Sequence, residues 1–251
     1  MKIVGIIPSR MNSKRLPGKA LADIRGLPMV IRVFRAAAMS GLFDALFVAT
    51  DSPEIEKVCR DHGAPVLMTG SYHKNPTSRT GEASAMVEGD YYVMIGGDEP
   101  LLLPEDIRRA VRSGISALES GGNASCDAPF VVNAMAVIPT PEEAADPSNI
   151  KLACTDDGTG LYASRSPIPY PKERDCRCRK FVSIGIYTKK ALDFFERTPP
   201  GILEQTEGFD LLRFMEHKKR VLFIEITGRT LSVDTEEDLE RVRRILAQQR
   251  G

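Results

Sequence analysis

Residues 2–8 form a short apolar run that passes straight into a loop carrying Arg10, Lys14, Arg15 and Lys19, with Ser13 and Gly18 between them. A buried-type strand ending in four cations constrains the chain more than any other segment. In an open α/β sheet, ligands bind outside the carboxyl ends of the strands, so this loop predicts a site for a densely anionic ligand. Guanidinium forks and an ammonium together can hold several phosphate oxygens, which points to a nucleoside triphosphate. Neither G-x-x-x-x-G-K-[ST] nor G-x-G-x-x-G follows the strand, so side chains must do much of the holding that backbone amides do in those loops. Leu16-Pro17-Gly18 stiffens the cluster, a restraint that a merely solvated loop would not need.

The rest of the first half alternates strand and helix patterns. Strands are expected at 45–50, 65–68 and 91–95, and helices at 28–39, 53–62, 79–88 and 104–119. Such alternation predicts a parallel sheet covered on both faces. Residues 128–139 and 150–165 read as strands, the second broken by the turn signal Asp156-Asp157-Gly158. Residues 174–180 read as a basic loop, 181–187 as a strand and 188–197 as a helix. A last strand is expected at 221–226 and an amphipathic helix at 235–249. The middle segment is expected to add antiparallel strands that extend the sheet or form a dimer contact. Without a repeat or clear linker, the 251 residues are expected to form one domain.

Lys+Arg and Asp+Glu both number 34, so no global field draws the chain to nucleic acid or membrane, and a small anion suits its local positive charge. No apolar run approaches the ~18 residues of a membrane span. Met1-Lys2-Ile3-Val4-Gly5 enters a strand at once, leaving no room for a cleavable signal, and a cytoplasmic location is expected. The five cysteines are odd in number and scattered, so no disulfide framework is expected. Cys176-Arg177-Cys178 has no second Cys/His pair near it, and Asn123-Ala124-Ser125 carries no meaning without secretion.

Attack on one phosphorus normally calls for a divalent cation held by carboxylates. Asp98 follows a buried strand and a glycine pair. Asp234 lies between an extended run and the last helix. Each has a plainer reading: Asp98 as a turn residue before Pro100, Asp234 as a helix cap with Glu237. His62, His73 and His217 read as surface or polar-contact residues rather than catalytic bases.

The order of motifs resembles the 3-deoxy-manno-octulosonate (Kdo) cytidylyltransferases. Pro8-Ser9-Arg10 through Arg15-Leu16-Pro17-Gly18-Lys19 is similar to their amino-terminal signature. Val48-Ala49-Thr50-Asp51, Gly97-Asp98-Glu99-Pro100, Pro147-Ser148-Asn149-Ile150-Lys151, Leu161-Tyr162-Ala163-Ser164-Arg165, Ile184-Gly185-Ile186-Tyr187 and Val233-Asp234-Thr235 follow in the family's order. The resemblance implies a Rossmann-like nucleotidyltransferase fold: a mainly parallel central sheet with helices on both faces and an antiparallel extension, usually dimeric. It implies transfer of CMP from CTP to the anomeric hydroxyl of a 2-keto sugar acid, with Mg²⁺ and release of pyrophosphate. By position, Arg10, Ser13, Arg15, Lys19, Thr77 and Arg79 would meet the nucleotide, and Asp98 and Asp234 the metal. Arg10, Lys19, Asp98 and Asp234 would carry the catalysis. Arg165, Ser183, Tyr187 and Asp210 would face the acceptor.

Departures concentrate at the acceptor end. Gly97 is read as standing where the family has glutamine. Ser183 replaces a histidine, Asp210-Leu211 replaces Glu-Gln, and Asn75-Pro76 replaces Ser-Gly. Three lost polar contacts at about 1–3 kcal/mol each would weaken Kdo recognition a thousandfold or more if nothing compensates. CMP transfer is therefore expected to be retained with a changed acceptor, such as a modified octulosonate, another ulosonic acid or a phosphonate. A regulator that binds nucleotide without chemistry is the competing class.

Overall fold

The computed structural model describes residues 1–120, 128–170, 172, 178–228 and 230–248. Cys126, Cys176, the Asn123-Ala124-Ser125 tripeptide and residues 174–177 of the expected basic loop lie outside them.

The strands are β1 (Ile3–Pro8), β2 (Ala45–Thr50), β3 (Val66–Met68), β4 (Tyr91–Ile95), β5 (Val131–Val137), β6 (Lys151–Cys154), β7 (Gly160–Ser164), β8 (Arg179–Tyr187) and β9 (Val221–Glu225). The helices are α1 (Met29–Met39), α2 (Pro53–Asp61), α3 (Pro76–Met86), α4 (Pro104–Ser120), α5 (Pro141–Ala145), α6 (Lys189–Arg197), α7 (Ile202–Glu207), α8 (Leu212–Glu216) and α9 (Glu236–Gln248). The strands lie in the order β3-β2-β1-β4-β8-β5-β9. Within it, β3, β2, β1 and β4 are parallel, β8 runs antiparallel to both β4 and β5, and β9 is parallel to β5. The β6–β7 hairpin branches from the start of β8.

Alternation along β1 splits the apolar core in two. Ile3 and Ile7 enter the cluster that includes α1 and α4 residues such as Val33 and Ile107, whereas Val4 and Ile6 enter the one holding Leu192, Phe195 and Phe214. A sheet buried on both faces explains why its strands read as continuous apolar runs. A third cluster joins Ile24 and Met29 near the start of the chain to Val233, Leu239 and Val242 near its end. It docks α9 beside the amino-terminal loop.

The middle segment extends the sheet with antiparallel pairing, as expected: β8 lies beside β4, and β5 beside β8. Two boundaries are corrected. Arg179 and Lys180, read as loop, already belong to β8 and pair with Val137 and Ala136. The helix expected at 79–88 starts at Pro76. Asn75 accepts from the Ser78 amide (2.8 Å), and proline at the first helical position loses nothing because that amide has no partner in any helix.

Opposite charges are also buried in pairs. Arg213 of α8 donates from Nε and Nη2 to the two Glu204 oxygens, each at 2.6 Å, and stacks 3.7 Å from the Phe195 ring centroid. Both side chains are about one-tenth exposed. Truncating one partner strands the other in low dielectric. Arg213→Ala is expected to destabilise the fold by about 3–5 kcal/mol, read from urea unfolding. A change below 1 kcal/mol would show that Glu204 finds water.

Candidate active site

The cationic loop folds back on itself at the carboxyl end of β1. Gly18 is left-handed (φ 72°) and its amide bonds Met11 O at 2.9 Å, closing the loop, and one 3₁₀ turn at Lys19–Leu21 follows. This closure turns Lys19 inward, leaving its side chain only 15 % exposed. Its ammonium donates to Asp98 Oδ2 (2.7 Å), Asp234 Oδ1 (3.0 Å) and the Val233 carbonyl (2.9 Å). Arg15 reaches the other Asp234 oxygen at 2.8 Å. Burial opposes the Lys19 charge, but Asp98 and Asp234 outweigh it and hold its pKa above the ordinary lysine value.

Asp234 is free for this role because its neighbour takes the helix cap. Thr235 Oγ1 accepts from the Asp238 amide (3.2 Å) and Asp238 Oδ2 accepts from the Thr235 amide (2.9 Å), a reciprocal capping box. The alternative in which Asp234 caps the helix with Glu237 is not realised. Asp98 lies past β4 after glycines that allow close approach. A Cβ at Gly97 would meet Ser9 Oγ at 2.6 Å and the Pro8 carbonyl oxygen at 3.1 Å.

Around this centre runs a cleft of about 330 Å³, lined by Arg10, Ser13, Arg15, Lys19, Asp98, Ser183 and Asp234 among others. Among the described residues no acid pairs with Arg10 or Lys14, so their charges face the cleft available to an anion. Arg79 also lines it but is already committed, to Asp51 (3.0 Å) and Thr69 (2.6 Å). His73 borders the cleft too, buried, with one ring nitrogen at Ser78 Oγ (2.7 Å) and the other at Glu82. No distinctive spacing marks it in the sequence. A larger cavity, about 540 Å³, lies elsewhere between Lys180, Glu143 and Arg241. Of the three acids that line it, Glu143 is already paired with Arg241 at 2.7 Å.

The remaining candidates divide into two groups away from the cleft lining. Thr77 donates to Asp210 Oδ2 (2.7 Å), with the Tyr187 hydroxyl 3.5 Å from Thr77 Oγ1. Tyr187 is fully buried, and burial raises the pKa of both its phenol and the Asp210 carboxyl. Arg165 lies apart, donating to the carbonyls of Glu207 (2.7 Å) and Pro147 (2.8 Å). Leu211 belongs to the apolar core.

Two carboxylates thus meet one ammonium above a basic loop, and comparison with known proteins identifies the family that carries this fold. The family model described as Cytidylyltransferase matches residues 4–224. A 3-deoxy-manno-octulosonate cytidylyltransferase of Chlorobaculum parvum is 38% identical over the full length of both chains. The Flavobacterium johnsoniae protein of the same name is 35% identical over 98% of this chain and 99% of its own. The chain belongs to the cytidylyltransferase family. A solved CMP:2-keto-3-deoxy-manno-octonic acid synthetase complexed with CTP superposes on this cytidylyltransferase with TM-score 0.88 and 34% identity, over 99% of this chain and 100% of that one. An inositol-1-phosphate CTP transferase from T. maritima shares the fold alone, at TM-score 0.69 and 13% identity.

In this cytidylyltransferase the residue before Gly97-Asp98-Glu99-Pro100 is Gly96, which corrects the assignment of the glutamine position to Gly97, and it abuts another departure from the family. Its amide bonds Ser183 O at 2.8 Å, and a Cβ on it would stand 2.5 Å from the Ser183 Cβ. The two small residues fit each other, and a glutamine at 96 would displace Ser183.

Glu99 was not singled out by the sequence. It is buried, its Oε2 has no hydrogen-bond partner, and burial, then the Asp98 charge, pushes its carboxyl up to about 8 from 4.5. A folded-state pKa above the unfolded one means that stability is fully present at low pH and is lost as pH rises from about 4.5 through about 8. In metal-free buffer, urea midpoints are expected to fall between about pH 6 and about pH 9, and Glu99→Gln to flatten that fall. Parallel pH profiles for the two proteins would exclude Glu99 as the cause.

Proposed function

We propose that this cytidylyltransferase joins CMP from CTP to the anomeric hydroxyl of Kdo or a closely related 2-keto-3-deoxy sugar acid, releasing pyrophosphate. The convergence of Asp98 and Asp234 on one cation-sized position beside the basic loop carries the reading. Two oxygens within 3.0 Å of a single nitrogen fit a divalent ion, and carboxylates are the donors that magnesium prefers. We assign Mg²⁺ to these two residues. When bound there, it would supply Lewis-acid stabilisation of the charge that develops on the triphosphate.

Arg10, Arg15 and Lys19, with Ser13, hold the triphosphate and orient its α-phosphorus for in-line displacement. As the bridging oxygen takes up charge, these cations stabilise the departing pyrophosphate more than the ground state. Thr77 and Arg79 support the nucleotide from α3: Arg79 is fixed by Asp51, and Thr77 by Asp210. Ser183 borders the acceptor end, with Tyr187 and Asp210 behind it. Of the three histidines only His73 lines the cleft, and both its ring nitrogens are engaged, so this reading uses no imidazole base. By family resemblance the working enzyme is a cytoplasmic homodimer.

Pyrophosphate release with CTP and Mg²⁺ across a panel of Kdo, other 2-keto-3-deoxy acids and small phosphonates tests the assignment. Turnover is expected with a sugar acid, and Asp98→Asn is expected to lower kcat roughly a hundredfold or more, as loss of several kcal/mol of charge stabilisation requires. Turnover confined to phosphonates would replace the acceptor. No CTP consumption with any acid would make the chain a binding protein.

A further inference from the structure

Three of the four carboxylate oxygens that Asp98 and Asp234 present are already held by the protein's own cations. Lys19 takes Asp98 Oδ2 and Asp234 Oδ1, and Arg15 takes Asp234 Oδ2. An ammonium has three donors, and the third Lys19 donor goes to the Val233 carbonyl. In this arrangement Lys19 has nothing left to offer a phosphate, and the carboxylates have little left to offer a metal. Both assigned tasks require the same rearrangement.

We propose that Lys19 is a placeholder cation: in the nucleotide-free protein it fills the position between Asp98 and Asp234, and the metal enters only as the triphosphate draws Lys19 and Arg15 away. The inference rests on the metal assignment above. Charge supports it. Two carboxylates brought this close repel unless a cation lies between them, and the two cations neutralise them one for one. A divalent ion replaces the same charge, while a triphosphate gives the two released cations new oxygens beside Arg10 and Lys14, which pair with no acid among the described residues. Side-chain properties support it too. Lysine is a compact charge on a flexible stem, and Arg15 is half exposed, so both can move without unpacking the core. Metal affinity without nucleotide is then reduced by the fraction of molecules in which Lys19 has left the site. Free divalent ions bind poorly, and the metal arrives coupled to CTP.

Mn²⁺ titrations followed by the free-ion EPR signal, without nucleotide or acceptor, test this on the full chain. Lys19→Met keeps the length of the stem and removes the charge. It is expected to bind Mn²⁺ at least about tenfold more tightly than the wild type, and adding Asp98→Asn should abolish the gain. Equal Mn²⁺ affinity in Lys19→Met and wild type would overturn the placeholder. Should Lys19→Met fail to fold by circular dichroism, Arg15→Ala supplies the second arm. A smaller gain in Mn²⁺ affinity there supports the proposal, and none overturns it. A separate measurement isolates the metal assignment: water-proton relaxation of Mn²⁺ with CTP and protein. If enhancement in the ternary complex survives both Asp98→Asn and Asp234→Asn, the assignment itself fails, whatever Lys19 does.

Discussion

The ammonium of Lys19 ties together three stretches of chain that the sequence keeps far apart. Its bonds to Asp98, Val233 and Asp234 join the amino-terminal loop, the end of β4 and the approach to α9. Each stretch is delivered by a different force. Gly18 closes the loop by a left-handed turn, the parallel β1–β4 register sets where Asp98 emerges, and the small apolar cluster of Ile24, Met29, Val233 and Leu239 docks the chain's end. The Val233 amide also bonds Asp98 O at 2.9 Å, so backbone as well as side chains fixes the two acids relative to each other. Loss of any one of these leaves charges in a half-buried place without their partners, which is costly. The apolar packing that makes the fold stable is thus also what makes the charge cluster possible.

Much of this was legible because it depends on local signals. Strands β1, β2 and β4 announce themselves as apolar runs, and a loop of four cations after β1 has few other uses. That Asp98 and Asp234 would share a cation was not visible in spacing, because 136 positions separate them and only the sheet register together with the docking of the chain's end brings them together. It came from resemblance. The cap at α9 shows how close the alternatives lie. Thr235 with Asp238 satisfies the helix end as well as Asp234 with Glu237 would, and tertiary contact with Lys19 decides between them.

What sequence could not reveal follows from pairing and burial. Hydrophobic periodicity marks β8 as a strand but does not name its neighbours, so its place between β4 and β5 was missed. Pro76 looks like a stiffener of a loop until Asn75 is seen capping a helix that begins there. Arg165, Tyr187 and Asp210 carry groups that suit a sugar acid, yet the structure commits Arg165 to backbone carbonyls and sets Tyr187 and Asp210 in a buried network with Thr77. Motif position identifies the residue type; only packing says which atoms remain available.

The same point changes the meaning of the departures at the acceptor end. Counting them as three orphaned polar groups treats them as independent, and neighbouring positions are not additive. Gly96 and Ser183 touch across paired strands, so one truncation accommodates the other. Asp210, one carbon shorter than glutamate, keeps Thr77 as its partner, and Leu211 packs into the core and leaves no amide unsatisfied. The protein side of the pocket therefore carries none of the penalty of an unpaired buried group at these positions. Under the proposed assignment, what the departures would remove is the net value of hydrogen bonds to the substrate, about 0.5–1.5 kcal/mol each and replaceable by water. A cytidylyltransferase with an intact phosphate and carboxylate centre can absorb that loss and still act on a sugar acid, with discrimination resting more on the acid's charge and less on its hydroxyls.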